Sequence, residues 1–127
     1  WMSTGVMTDS ERVTFSMIVV QLLLQRLEER GMTQKEFLQA SHISQATWSR
    51  VSRGLSSFSI EDLRGACRAV GLAYSDLIAR AEQVEASLPQ MDVQVVRTTG
   101  PSDAAKFAGT FLAGAALAFL ISRILRS

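Results

Sequence analysis

Two short helical segments separated by a three-residue turn constrain this chain more than any other feature. They run from Thr33 to Gly54, TQKEFLQASHISQATWSRVSRG. Thr33 followed by Glu36 is a T-x-x-E capping box, which satisfies two backbone donors at a helix start. Phe37, Leu38 and Ala40 give that helix an inward face. Ser41-His42-Ile43 is too short for anything but a turn, and Ser44 is a second N-cap. Trp48 and Val51, three apart, face inward together. Gln45, Ala46, Thr47, Ser49 and Arg50 point outward, and Gly54 stops the helix as a C′ glycine.

The outward set has the chemistry of a base-reading surface. Gln pairs bidentately with adenine and Arg with guanine, while Ala or a Thr methyl meets the thymine methyl. A helix carrying such residues in its first turns is what the DNA major groove accepts. The plainer alternative is a helical hairpin with a polar, solvated face. Net charge is only +1, so the distribution of charge matters more than its total. From Gly31 to Ser59 the chain carries Lys35, Arg50 and Arg53 against Glu36 alone. Acids gather elsewhere, at Glu28-Glu29, Glu61-Asp62 and Glu82 to Glu85. A locally basic face on a near-neutral chain implies modest affinity for each protomer, for which a dimer on two half-sites compensates.

MTQKEF followed by ISQATWSRVSRG resembles the Cro/XRE-type helix-turn-helix repressors, whose usual pattern is close to LTQEEL…VSxxTISRIERG. The resemblance covers about Met17 to Ala81 and implies an all-α, five-helix DNA-binding domain. It also implies double-stranded DNA as partner, with Gln34 on phosphate, Gln45, Ala46, Thr47 and Arg50 on bases, and Ser49 and Arg53 on the backbone. Lys35 and Ser44 complete the candidate set. Two positions depart from the pattern. Leu38 stands where the family prefers a small Ala, and His42 where it prefers a turn Gly. His is less comfortable than Gly at positive φ.

At 127 residues the chain has room for one domain plus appendages. Residues 1–9 read as a loose N-terminus, and Trp1 ahead of Met2 is an unusual start. No apolar run follows a basic leader there, so no signal peptide is expected. The domain is expected over 10–87. Its first helix starts at Asp9 or Ser10, with Phe15, Ile18, Val19, Leu22, Leu23 and Leu27 inward and Gly31 as its cap. After the two central helices, Ser59 caps a fourth helix, with Leu63, Ala66, Cys67 and Val70 inside and Gly71 at its end. A fifth runs from about Ser75 to Ser87, carrying Leu77, Ile78 and Ala81. Pro89 prevents its continuation. Arg64 and Arg68 read either as an extension of a phosphate-binding rim or as a solvated face. Residues 88–103 read as a linker. Within it, 91–96 (MDVQVV) alternates as a short strand that a second protomer's copy can pair, or serves as extended linker.

Residues 104–126 read as a hydrophobic helix. Its uncharged core, Phe107 to Ser122, has 16 residues and a length of roughly 24 Å. Lys106 and Arg123 can snorkel at its ends, and no polar face is apparent. A domain this small offers no obvious core for such a helix. Insertion in a membrane is the leading expectation, and an oligomeric bundle the competing one. Ala105, Gly109 and Ala113, and then Gly114 and Ala118, are small residues four apart. Gly109, Ala113, Gly114 and Ala118 are therefore candidate contacts for close helix packing in lipid or in an oligomer. By this reading a truncation after Thr99 stays soluble and folded.

Nothing in the chain assembles a catalytic or metal site. Cys67 is the single cysteine and His42 the single histidine. Neither has a paired nucleophile, carboxylate or ligand cluster at a suitable spacing. No cofactor and no enzymatic activity are expected. Taken with the resemblance, the tail points to a bacterial or phage-type transcriptional regulator. It would be dimeric and held at the inner membrane, with its N-terminal domain in the cytoplasm. If the tail assembles an oligomer instead, the whole protein is expected in the cytoplasm. The alternative is a membrane-anchored adaptor whose helix-turn-helix fold binds a protein partner of cytoskeletal or scaffold type.

Overall fold

The computed structural model describes residues 12–97 and 111–126. Five helices follow a short strand: β1 (Arg12–Thr14), α1 (Phe15–Arg30), α2 (Gln34–Ser41), α3 (Gln45–Ser52), α4 (Ile60–Val70) and α5 (Tyr74–Ser87). A 3-10 turn (Leu88–Met91), strand β2 (Gln94–Val96) and a sixth helix, α6 (Gly114–Arg126), complete the order.

Local chemistry sets most of the boundaries. Thr33 accepts from the Glu36 amide, and Glu36 reaches back to the Thr33 amide at 2.8 Å. Ser59 and Asp62 repeat the arrangement at α4. Gly31 and Gly71 close α1 and α4 in the left-handed region. The first helix starts later than its acids suggest. Thr14 caps it, and the three residues before Phe15 are extended. Val13 and Thr14 are β-branched and favour that geometry. The expected start at Asp9 or Ser10 is thus corrected to Phe15, and residues 1–11 lie outside the described ones.

The 91–96 segment finds its partner within the same chain. β2 runs parallel to β1 in the register Arg12↔Gln94, Val13↔Val95 and Thr14↔Val96. On the other edge of β1, Arg12 also bridges Phe111, and the Leu112 N–H donates to the Arg12 carbonyl at 2.7 Å. Pairing with a second protomer is therefore not needed to satisfy this strand. Met91 ends the 3-10 turn, and Asp92 takes a positive φ before β2.

The tail is the main correction. α6 has 13 residues, about 20 Å of helix against a hydrocarbon core of about 30 Å. No helix among the described residues is long and apolar enough to cross a membrane. Leu117, Ile121 and Ile124 are buried, and α6 lies against α1 and α5. Its outer side holds Ala115, Ala116 and Phe119, with the Arg123 guanidinium 5.9 Å above the Phe119 ring. Of the candidate packing residues, Ala113 precedes the helix, Gly114 faces Gln21 of α1, and Ala118 is half-buried. Gly109 lies outside the described residues, as do the expected helical residues 104–110.

The core has room for α6 because the first half of α1 is buried on every side. Ser16, Met17, Ile18, Val19 and Val20 are all buried, and five consecutive helical residues sweep more than a full turn. One layer of helices cannot cover such a surface. α2 to α5 cover part of it, and the strand pair and α6 cover more. Arg26 ties α1 to the end of α4. Its Nε and Nη2 donate to the Val70 and Gly71 carbonyls, each at 3.2 Å.

Candidate nucleic-acid interface

An aromatic cluster sets the pose of α2 and α3. Trp48 of α3 meets Phe37 of α2 edge-on at 5.4 Å between ring centroids, and Phe58 from the next loop at 6.0 Å. All three are buried, as is Val51. The Phe58 N–H donates to Ser16 Oγ at 3.2 Å, which fastens the loop after α3 to α1. With Trp48 and Val51 fixed inward, the helical repeat turns Gln45, Ala46 and Arg50 to solvent, and all three are exposed. Thr47 and Ser49 are half-buried at the margins of that face.

The hydroxyls on α3 are largely engaged within the helix. Ser44 Oγ accepts from the Thr47 amide at 3.0 Å and donates to Thr47 Oγ1 at 2.9 Å. Arg50 Nη2 donates to the same Thr47 oxygen at 3.5 Å, so Arg50 lies back along the helix toward its N-terminus. Arg53 Nε donates to the Ser49 carbonyl at 3.3 Å. Among the described residues no ion pair is found at Lys35, Arg50 or Arg53, whereas Arg26 pairs with Glu29.

Gln34 and Lys35 begin α2 and are exposed. They line one cleft with Gln45, together with Leu38, Gln39 and Ile43. The structure thus brings Gln34, Lys35 and Gln45 together, with Ala46 and Arg50 continuing the surface along α3. Gln39 was missed. It is exposed and lies four residues after Lys35, a spacing that marks the same helix side. Ala40, expected inward, is exposed, whereas Ser41 is buried. Ser41 falls angularly between Phe37 and Leu38, and Ala40 falls outside that arc.

Both departures from the family pattern are accommodated. His42 takes a positive φ of 63° and remains exposed. Leu38 is buried at the crossing. A close approach between helices is found between α2 and α4. A Cβ on Gly65 of α4 would stand 2.7 Å from the Ser41 carbonyl oxygen.

Burial pushes the Cys67 thiol pKa up, which keeps it protonated and poorly nucleophilic. Among the described residues no cluster of His, Cys, Asp or Glu could hold a metal ion. Comparison with characterised proteins and with solved structures found no match. Residues 23–83 match the family model for the Cro/C1-type HTH DNA-binding domain, a stretch that begins within α1 and ends within α5. The two capped helices around Trp48 lie within the matched stretch, and over 23–83 this chain is similar to the Cro/C1-type HTH DNA-binding domain.

Proposed function

We propose that this chain is a sequence-specific DNA-binding regulator of transcription that lays α3 in the major groove. The observation that carries the reading is the division of α3 into a buried Trp48–Val51 side and an exposed side bearing Gln45, Ala46 and Arg50. Gln and Arg offer bidentate donors and acceptors matched to purine edges. Gln34 and Lys35 at the start of α2, with Ser44, Ser49 and Arg53 flanking the reading face, are assigned to phosphates. Thr47 sits at the margin of the base-reading face.

Binding as a dimer belongs to the same proposal. One protomer presents three basic side chains, Lys35, Arg50 and Arg53, and a near-neutral chain gains little from long-range attraction. Two reading helices on adjacent half-sites supply the missing affinity and specificity. A membrane tether is not part of the proposal, because Leu117, Ile121 and Ile124 of α6 are buried and the helix lies against α1 and α5. No catalytic step is assigned.

The test is selection from a random DNA library by the full-length protein, followed by sequencing and repeated with Arg50→Ala. A recovered motif that degenerates at one base pair in the variant supports the reading. Recovery of no motif by the wild type would transfer the α3 face to a protein-binding adaptor role.

A further inference from the structure

The end of α3 is closed by a residue far away in the chain. Gly54 has a φ of 82°. Its N–H donates to the Val51 carbonyl at 3.1 Å, and the Leu55 N–H donates to the Arg50 carbonyl at 2.9 Å. These two bonds form a Schellman cap. Over Gly54 lies the ring of Phe111. A Cβ there would stand 2.9 Å from Cδ1 and Cε1 and 3.0 Å from Cγ. Gly54 is therefore required twice, by its φ and by the ring pressed on its backbone.

Phe111 is itself held. It bridges Arg12 of β1, and the next residue, Leu112, donates to the Arg12 carbonyl. β1 in turn pairs with β2 and leads through Thr14 into α1. None of Arg12, Thr14, β2 or Phe111 belongs to the matched 23–83 stretch. The carbonyl that receives the Leu55 bond belongs to Arg50, so any loosening of the cap reaches the backbone of the proposed base-reading side chain directly.

We propose that Phe111 is a positioning residue for α3: its ring, anchored on β1, holds the Gly54 cap closed and fixes where Arg50 is presented. The proposal rests on the reading of α3 as the DNA-contacting helix. In physical terms, the ring excludes water from a cap whose two hydrogen bonds would otherwise compete with solvent. It also denies the last turn of α3 the space in which to fray. The segment after residue 110 thereby becomes part of the recognition apparatus through packing, without touching DNA.

The experiment uses the full-length protein with Phe111→Ala and Phe111→Leu. Leu keeps apolar bulk without the flat ring, and it carries the test if the Ala variant fails to fold. Amide hydrogen exchange is read at Gly54 and Leu55, with Val84 of α5 as the reference for global opening. The expected result is exchange at the cap faster by about tenfold beyond any change at Val84, as a local opening requires. Alongside this, the preference for the selected DNA sequence over a scrambled one is expected to fall by about tenfold, the size of a weakened base contact. Affinity for the scrambled sequence is expected to stay nearly constant. Equal acceleration at all three amides would overturn the proposal, leaving Phe111 as general core. An unchanged DNA preference in the variants would also overturn it, while leaving the DNA reading intact. If the wild type selects no sequence, the DNA reading fails first and removes the positioning role with it.

Discussion

Arg50 carries the most informative single-residue expectation. Arg50→Ala should weaken specific binding by about 1–3 kcal/mol and relax preference at one base pair. Lys35→Ala and Arg53→Ala should weaken all sequences more evenly and make the salt dependence shallower. Titration of the three variants against matched and mismatched duplexes at two salt concentrations separates the cases. If Arg50→Ala behaves like Lys35→Ala, its base-reading role is wrong. Glu36 gives a pH expectation. The Thr33 backbone N–H, and then its hydroxyl, donate to the Glu36 carboxylate and hold its pKa below the ordinary value. A folded-state pKa lowered in this way means that the cap's contribution is fully present above the ordinary carboxylate range. It is lost as pH falls through the lowered value. The protection of the Thr33 amide, taken relative to its intrinsic exchange rate at each pH, should therefore fall on the acid side. A flat profile would show that the Glu36 carboxylate adds nothing to the cap.

Among the elements, the α2–α4 crossing offers the sharpest contest between two effects. Gly65 lies inside a helix, where replacement by Ala ordinarily adds about 1 kcal/mol of stability. Here the added Cβ meets the Ser41 carbonyl oxygen at 2.7 Å, and that atom is backbone and cannot swing aside. Overpacking of this kind costs about 1–3 kcal/mol, so Gly65→Ala should be net destabilising in urea unfolding. A variant more stable than wild type would mean that α2 can shift away freely. The contrast between Gly65 and the capping residues shows what was legible in the sequence. Thr33, Ser44, Ser59, Gly31 and Gly71 declare helix ends through neighbours three to five residues away, so their signals survive without tertiary context. Gly65 gives no such signal, because its partner belongs to another helix. The same holds for β1, whose partners stand near the other end of the chain. For the interface, the outward set on α3 could be read from Trp48 and Val51 alone, whereas Gln39 needed the cleft to identify it.

For the whole molecule, α6 changes what a truncation should do. Leu117, Ile121 and Ile124 are buried, and each such side chain contributes about 1.5–3 kcal/mol. Their sum is of the order of the total stability of an ordinary domain, about 5–15 kcal/mol. A chain ending after Thr99 should therefore lose cooperative unfolding or melt far below the full-length protein, contrary to the expectation from the sequence that it stays folded. Circular dichroism melts of the two chains decide the matter, and a melting temperature unchanged by truncation would remove α6 from the core. The tail reads as a membrane segment because Ala, Gly and Phe leave it without a polar side. The counter-signal lies in α1, where Met17-Ile18-Val19-Val20 leaves no face for solvent and so demands a second covering layer. That demand is visible in the sequence only when α1 and the tail are weighed together.

The parallel pairing of β1 with β2, and of Arg12 with Phe111, also bears on the order of events when the chain acquires its structure. The five helices meet across shorter stretches of sequence than β1 and β2 do, even where α1 packs on α5 and α2 on α4, so β1 must wait for residues farther along the chain. During synthesis β1 emerges early yet has no partner until β2 emerges, and the third position on its edge comes later still. Closure of the sheet should therefore follow the rate-limiting step. Val95→Ala is expected to speed unfolding and leave the folding rate nearly unchanged in stopped-flow denaturant experiments. A slowed folding arm would instead place the two distant chain segments together in the nucleus.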